Sequence, residues 1–118
     1  MSKSMSASFE RAHRITKREE FVRIYRQGRR LESSLFLIYI LHGESPGAKL
    51  GLTLPKAVGN AVVRNRLKRM IREWFRQQKD HLHGLELVIQ PNKTASELDF
   101  RDICEHLDLV LKTSMRQT

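Results

Sequence analysis

Gly59–Arg76, GNAVVRNRLKRMIREWFR, decides how the rest of the chain is read, because it joins an apolar stripe to a dense cationic surface within one segment. In helical form, Val63, Leu67, Met70, Ile71, Trp74 and Phe75 recur at the spacing of one buried face. Arg64, Arg66, Lys68, Arg69, Arg72 and Arg76 take the remaining arc, and Glu73 is the one carboxylate among them. Carboxylates of the same helix therefore cannot neutralise most of this charge. It calls for a polyanion or open water. An ordinary surface helix would be satisfied by water, but the bias is toward arginine, whose guanidinium grips phosphate oxygens through paired hydrogen bonds and stacks on bases. RNA is the partner this composition favours.

The whole chain repeats that message. Its 118 residues carry 22 Lys and Arg against 13 Asp and Glu, a formal charge of +9. Such a charge also attracts anionic membranes, yet the apolar runs are too short to span a bilayer. No apolar stretch with a small-residue cleavage site opens the chain, so a cytoplasmic protein is expected. The length suits a single domain over residues 1–118, with the Ser-rich residues 1–12 as a flexible basic arm. Cys104, the sole cysteine, sits among Phe100, Ile103, Leu107, Val110 and Leu111 and reads as core packing rather than a reactive thiolate.

Outward from the basic helix, the elements follow from punctuation and periodicity. Thr16-Lys-Arg-Glu19 matches a capping box and Gly28 a left-handed stop, framing a helix over about Lys17 to Gln27. Arg29 to Glu32 suits a short strand, Leu35 to Leu41 (LFLIYIL) a central one, and Lys49 to Leu54 (KLGLTL) another ended by Pro55. Strands joined this closely are expected to pair antiparallel. Asn60 reads as the N-cap of the basic helix, which runs to about Gln78 before His83-Gly84 breaks it. Leu85 to Gln90 is the last strand. Ser96 with Asp99 offers a cap for a helix over about Glu97 to Thr113, with an acidic outer face of Glu97, Asp99, Asp102, Glu105 and Asp108. Structure is expected to begin near Thr16, and the order is αβββαβα.

Catalytic constellations are sparse. The five histidines are scattered, and His81-x-His83 lacks the i, i+4 spacing of a zinc-binding helix, so no metal site is expected. Glu19 and Glu20 are explained by the dipole of their helix N-terminus. The chain reads as a binder. Phe21 and Tyr25, four apart among Lys17, Arg18, Arg23 and Arg26, have the composition of a stacking platform for unpaired nucleotides, although aromatics at that spacing also build cores. Phe36 and Tyr39 differ by an odd step along their strand, so at most one of them can share a groove with that platform.

The string Gly51–Arg72, GLTLPKAVGNAVVRNRLKRMIR, closely resembles the protein subunit of bacterial-type ribonuclease P: a glycine-started strand, a lysine, GNA, and the RNRxKR helix start. The EEFVRIYRQG helix and the aromatic strand after it extend the resemblance over nearly the whole chain. It implies an α+β sandwich with a left-handed βαβ crossover, of the kind found in the second domain of a small-subunit ribosomal protein and exceptional among such connections. It implies an RNA partner that carries the active site and uses Mg²⁺ to remove the 5′ leader from precursor tRNA, with no obligate protein partner. By resemblance, Arg64, Asn65, Arg66, Lys68, Arg69 and Arg72 contact the RNA subunit, with Lys56 and Asn60 close by. Phe21 and Tyr25, with Phe36 or Tyr39, would hold the single-stranded leader. Two positions depart from the pattern: Ala57 stands where many relatives carry a second basic residue, and Asn92-Lys93 follow the last strand where the family often has an arginine. A general or ribosome-associated RNA-binding protein would share the basic face without stimulating cleavage. A duplex-DNA regulator would need a helix-turn-helix partner that is not evident.

Overall fold

The structure is a computed structural model that describes residues 13–43 and 46–116. The arm expected over residues 1–12 lies outside them. Helix α1 (Arg18–Gln27) is followed by strands β1 (Arg29–Glu32), β2 (Phe36–His42) and β3 (Lys49–Leu52), helix α2 (Ala61–Gln78), strand β4 (Leu85–Pro91) and helix α3 (Phe100–Arg116). Short 3₁₀ turns at Lys56–Val58, Lys79–His81 and Thr94–Glu97 join them. The order is the αβββαβα expected.

The sheet order is β1-β2-β4-β3. β1 pairs antiparallel with β2, as the short connection implies. The same rule fails for β2 and β3: β4 inserts between them, antiparallel to β2 and parallel to β3. Burial explains the choice. Leu85, Glu86, Leu87, Val88 and Ile89 are all buried, so β4 needs cover on both faces and takes an interior place, while β3 is left nearer the edge. Beyond β3, the Ile15 N–H donates to the Leu50 carbonyl at 2.9 Å and Arg14 bridges Leu50, so ordered structure starts before Thr16.

Alternation along the strands sorts side chains into two layers. Phe36, Ile38, Leu87 and Ile89 join Leu67, Ile71, Trp74 and Phe75 of α2 and Ile103, Leu107 and Leu111 of α3 in the main core. Val63, Met70 and Cys104 pack at its margin. The Trp74 Nε1–H donates to Asp108 at 2.7 Å, joining the two helices. On the opposite face Ile15, Ile24 and Val88 form a smaller cluster with Phe21, Tyr39 and Leu41. This second cluster seats α1.

Three caps differ from expectation. The N-cap of the first helix is Lys17 rather than Thr16, and the Lys17 N–H donates to Glu20 at 3.4 Å. Gly28 is extended (φ −78°, ψ 160°), not left-handed. It is glycine because a Cβ there would come 2.5 Å from the Ile24 carbonyl oxygen and 3.1 Å from that of Ile40. The last helix is capped by Asp99, whose carboxylate accepts the Asp102 N–H at 2.9 Å, while Ser96 lies in the preceding 3₁₀ turn. Asn60 caps α2 as expected, accepting the Val63 N–H at 2.9 Å.

Candidate RNA-binding surfaces

Burying Leu67, Ile71, Trp74 and Phe75 fixes the rotation of α2, and that rotation distributes its cations. Arg64, Lys68 and Arg72, four residues apart, run along the side of α2 that meets β3. Arg64, Asn65 and Lys68 line a hollow of about 300 Å³ with Leu52, Leu54 and Ala61. A neighbouring hollow of about 150 Å³ is lined by Arg14, Ile15, Thr16, Leu50, Leu52, Lys68 and Arg72. Leu52 and Lys68 belong to both, so the two form one cationic trough. At its inner end, burial and then the charge of Arg14 lower the Arg72 pKa from the ordinary arginine value. Like charges held together in a partly desolvated place favour an anion between them.

The other cations of α2 behave differently. Arg69 is exposed. Arg76 is held by Glu73 on its own helix, its Nε–H donating at 3.1 Å. Arg66 forks onto backbone: its two terminal nitrogens donate to the Ser96 carbonyl at 3.3 Å and the Leu98 carbonyl at 2.7 Å. The side chain thereby ties α2 to the turn before α3, a role that helical spacing did not reveal. Arg64 donates from Nε to the Gly59 carbonyl at 3.1 Å and lines the first hollow. Lys56 is exposed on the 3₁₀ turn before Asn60, and Asn60 spends its side-chain oxygen on the helix cap.

On the far face of the sheet three aromatic rings adjoin. Phe21 and Tyr25 of α1 have centroids 6.2 Å apart, and Tyr25 meets Tyr39 of β2 edge-on at 4.9 Å. Tyr25 is 41% exposed, and its hydroxyl lies 3.3 Å from Thr53 Oγ1. Gly51 makes this possible, since a Cβ there would lie 2.9 Å from the Phe21 ring. Phe36, named in sequence with this group, is 2% exposed and sits in the main core on the opposite face, so it does not line the aromatic surface. The odd step between Phe36 and Tyr39 separates them, and Tyr39 is the one that joins α1.

Two further features concern reactivity. Burial first, then the charges of Asp108 and Glu73, push the Cys104 thiol pKa up, the opposite of an activated nucleophile. Among the described residues no three His, Cys, Asp or Glu side chains gather as a cation site, and no helix is long and apolar enough to cross a membrane.

The sequence matches the family Ribonuclease P over residues 9–114. It is 36% identical over 112 residues to the ribonuclease P protein component of Bacillus cereus, covering 93% of this chain and 94% of that one. To the component of Syntrophus aciditrophicus it is 35% identical over 105 residues, 88% of each. The fold superposes on a Staphylococcus aureus RNase P protein, a mutant with defective mRNA degradation activity, with a TM-score of 0.86 at 31% identity, covering 95% of this chain and 96% of that one. The RNase P protein of Thermotoga maritima gives 0.74 at 30% identity, covering 83% and 94%. By sequence and by fold alike, the chain belongs to the ribonuclease P protein family.

Proposed function

We propose that the chain is the protein component of a ribonuclease P holoenzyme, an endoribonuclease that forms the mature 5′ end of tRNA, and that it contributes binding rather than bond cleavage. The trough of Arg64, Lys68 and Arg72, with Asn65 and exposed Arg69, binds phosphates of the RNA subunit. Phe21, Tyr25 and Tyr39 receive unpaired bases of the 5′ leader. Hydrolysis of the phosphodiester, with Mg²⁺, is assigned to the RNA subunit. Cationic side chains lower the repulsion between two polyanions, and the leader contact favours precursor over mature tRNA.

The observation that carries this reading is the placement of both surfaces on β3. Gly51 underlies the Phe21 ring on one face, while its neighbour Leu52 floors the cationic trough on the other. Successive strand residues point to opposite faces about 3.3 Å apart along the chain, so a bound RNA subunit and a leader strand would meet across one edge of the sheet. The test compares holoenzyme affinity for precursor and mature tRNA with Tyr25→Ala. A loss of about 1–3 kcal/mol per stacked base is expected for the precursor alone. Equal losses for both tRNAs would remove Tyr25 from the leader site.

A further inference from the structure

Among the described residues Glu86 is the one charged side chain in the buried set, 4% exposed. It lies on β4, on the face that carries α1, with Lys49 of β3 and Leu41 of β2 as its cross-strand neighbours. Its Oε1 accepts a hydrogen bond from Arg23 of α1. Its Oε2 occupies the space over Gly43, where any Cβ would come within 2.3 Å of it. One turn earlier on the helix, Glu20 pairs with Lys49 at 3.5 Å. The helix thus offers an anion and a cation, and the sheet offers their complements in neighbouring positions.

Apolar contact does not require this arrangement. Ile24 on Val88 already attracts the helix to the sheet, but that attraction is non-directional and tolerates sliding or rotation. With Glu86 buried and Arg23 about a third exposed, the pair is a poor means of adding stability, because desolvating the carboxylate offsets its attraction and an apolar pair of similar volume often serves as well. What it adds is direction. Arg23–Glu86 and Glu20–Lys49 together favour the rotation and axial position of α1 that set Phe21 over Gly51 and Tyr25 against Tyr39.

We propose that Glu86 is a positioning residue for the aromatic surface, acting through Arg23 to fix the orientation of α1; its consequence for tRNA rests on the leader-binding reading above. The discriminating variant is the apolar swap Arg23→Met/Glu86→Leu, which leaves no orphaned charge. It is expected to keep the wild-type melting temperature, lose the proton–proton NOE between the Tyr25 and Tyr39 rings in the free protein, and lower the holoenzyme's precursor preference roughly tenfold. Assembly with the RNA subunit is expected to stay unchanged, and adding Tyr25→Ala to the swap is expected to cost nothing more. Arg23→Lys, which keeps the charge, should retain the ring contact and supplies the comparison if the swap does not fold. A folded swap variant with the ring contact intact overturns the proposal. So does loss of the contact in Arg23→Lys and in the swap alike, or a loss fully additive with that of Tyr25→Ala. Loss of the ring contact with no change in precursor preference, when Tyr25→Ala is equally silent, upholds the positioning role and removes the leader reading instead.

Discussion

Gly51→Ala puts the seat of Phe21 to the test. The added Cβ would lie 2.9 Å and 3.0 Å from Phe21 Cε1 and Cζ, and 3.1 Å from Ile15 Cβ. Each distance is well inside the optimum of about 3.5–4.0 Å between carbons. The two neighbours respond differently. Ile15 is buried and its N–H is bonded to the Leu50 carbonyl, so it cannot retreat without unzipping the sheet edge. Phe21 is half-buried, and the contact is with the far end of its ring, which can swing outward. Overpacking of this kind costs about 1–3 kcal/mol, and the strand preference for alanine over glycine offsets about 0.5–1 kcal/mol. The net expectation is a loss of roughly 0–2.5 kcal/mol, centred on about 1 kcal/mol, at about 3–6 °C in Tm per kcal/mol for a chain of this size. Urea unfolding followed by circular dichroism measures that loss. In the holoenzyme, precursor affinity should fall while mature tRNA affinity holds, because the displaced ring no longer presents its face beside Tyr25. A variant as stable as the parent, with unchanged precursor preference, would refute the packing of Phe21 on Gly51 and its role at the leader surface.

Three more outcomes follow from the same geometry. Lys68→Ala removes the cation shared by both hollows and should flatten the dependence of log K on log salt for RNA-subunit binding by roughly one unit; an unchanged slope places Lys68 outside the interface. Arg66→Lys keeps the charge but cannot span the Ser96 and Leu98 carbonyls, so it should lower stability by about 1 kcal/mol with little change in the salt slope, and a wild-type urea midpoint contradicts the fork. Cys104 should react with a maleimide at pH 8 more slowly in the folded protein than in urea, since burial and nearby carboxylates raise its pKa. The folded thiol holds its proton more tightly than the unfolded one, so stability should decline as pH rises past about 8.5; equal labelling rates in both states would contradict this.

Much of this architecture is legible in the sequence because its signals are local and redundant. The stripe from Val63 to Phe75 and the Asn60 cap define α2 independently, and the structure agrees with both; the helix ends at Gln78 in a 3₁₀ turn, and the left-handed Gly84 (φ 77°) instead leads into β4. Long-range choices are less legible. The short β2–β3 connection suggests a hairpin, yet the demand of β4 for two buried faces overrides it. Gly28 ends α1 as read from sequence, but what requires glycine there, and at Gly51 within β3, is close contact with Ile24, Ile40 and Phe21, invisible until the sheet is assembled. Arg66 looks like its neighbours on a helical wheel, and only the position of residues 96–98 reveals its second employment. Glu86 left a signal that could have been found: a lone carboxylate at an otherwise apolar strand position, on a chain with Arg23 in the helix that covers the sheet. Phe36 and Tyr39 show the converse, since simple parity along β2 already separates them.

The division of labour between protein and RNA is measured by 5′ leader removal from a precursor tRNA at low Mg²⁺, with the RNA subunit alone, the protein alone, and both together. A correct cut is expected under these conditions only when both are present. Cleavage by the protein alone would contradict the assignment of catalysis to RNA, and cleavage no faster with the protein than without it would contradict its role as a holoenzyme subunit.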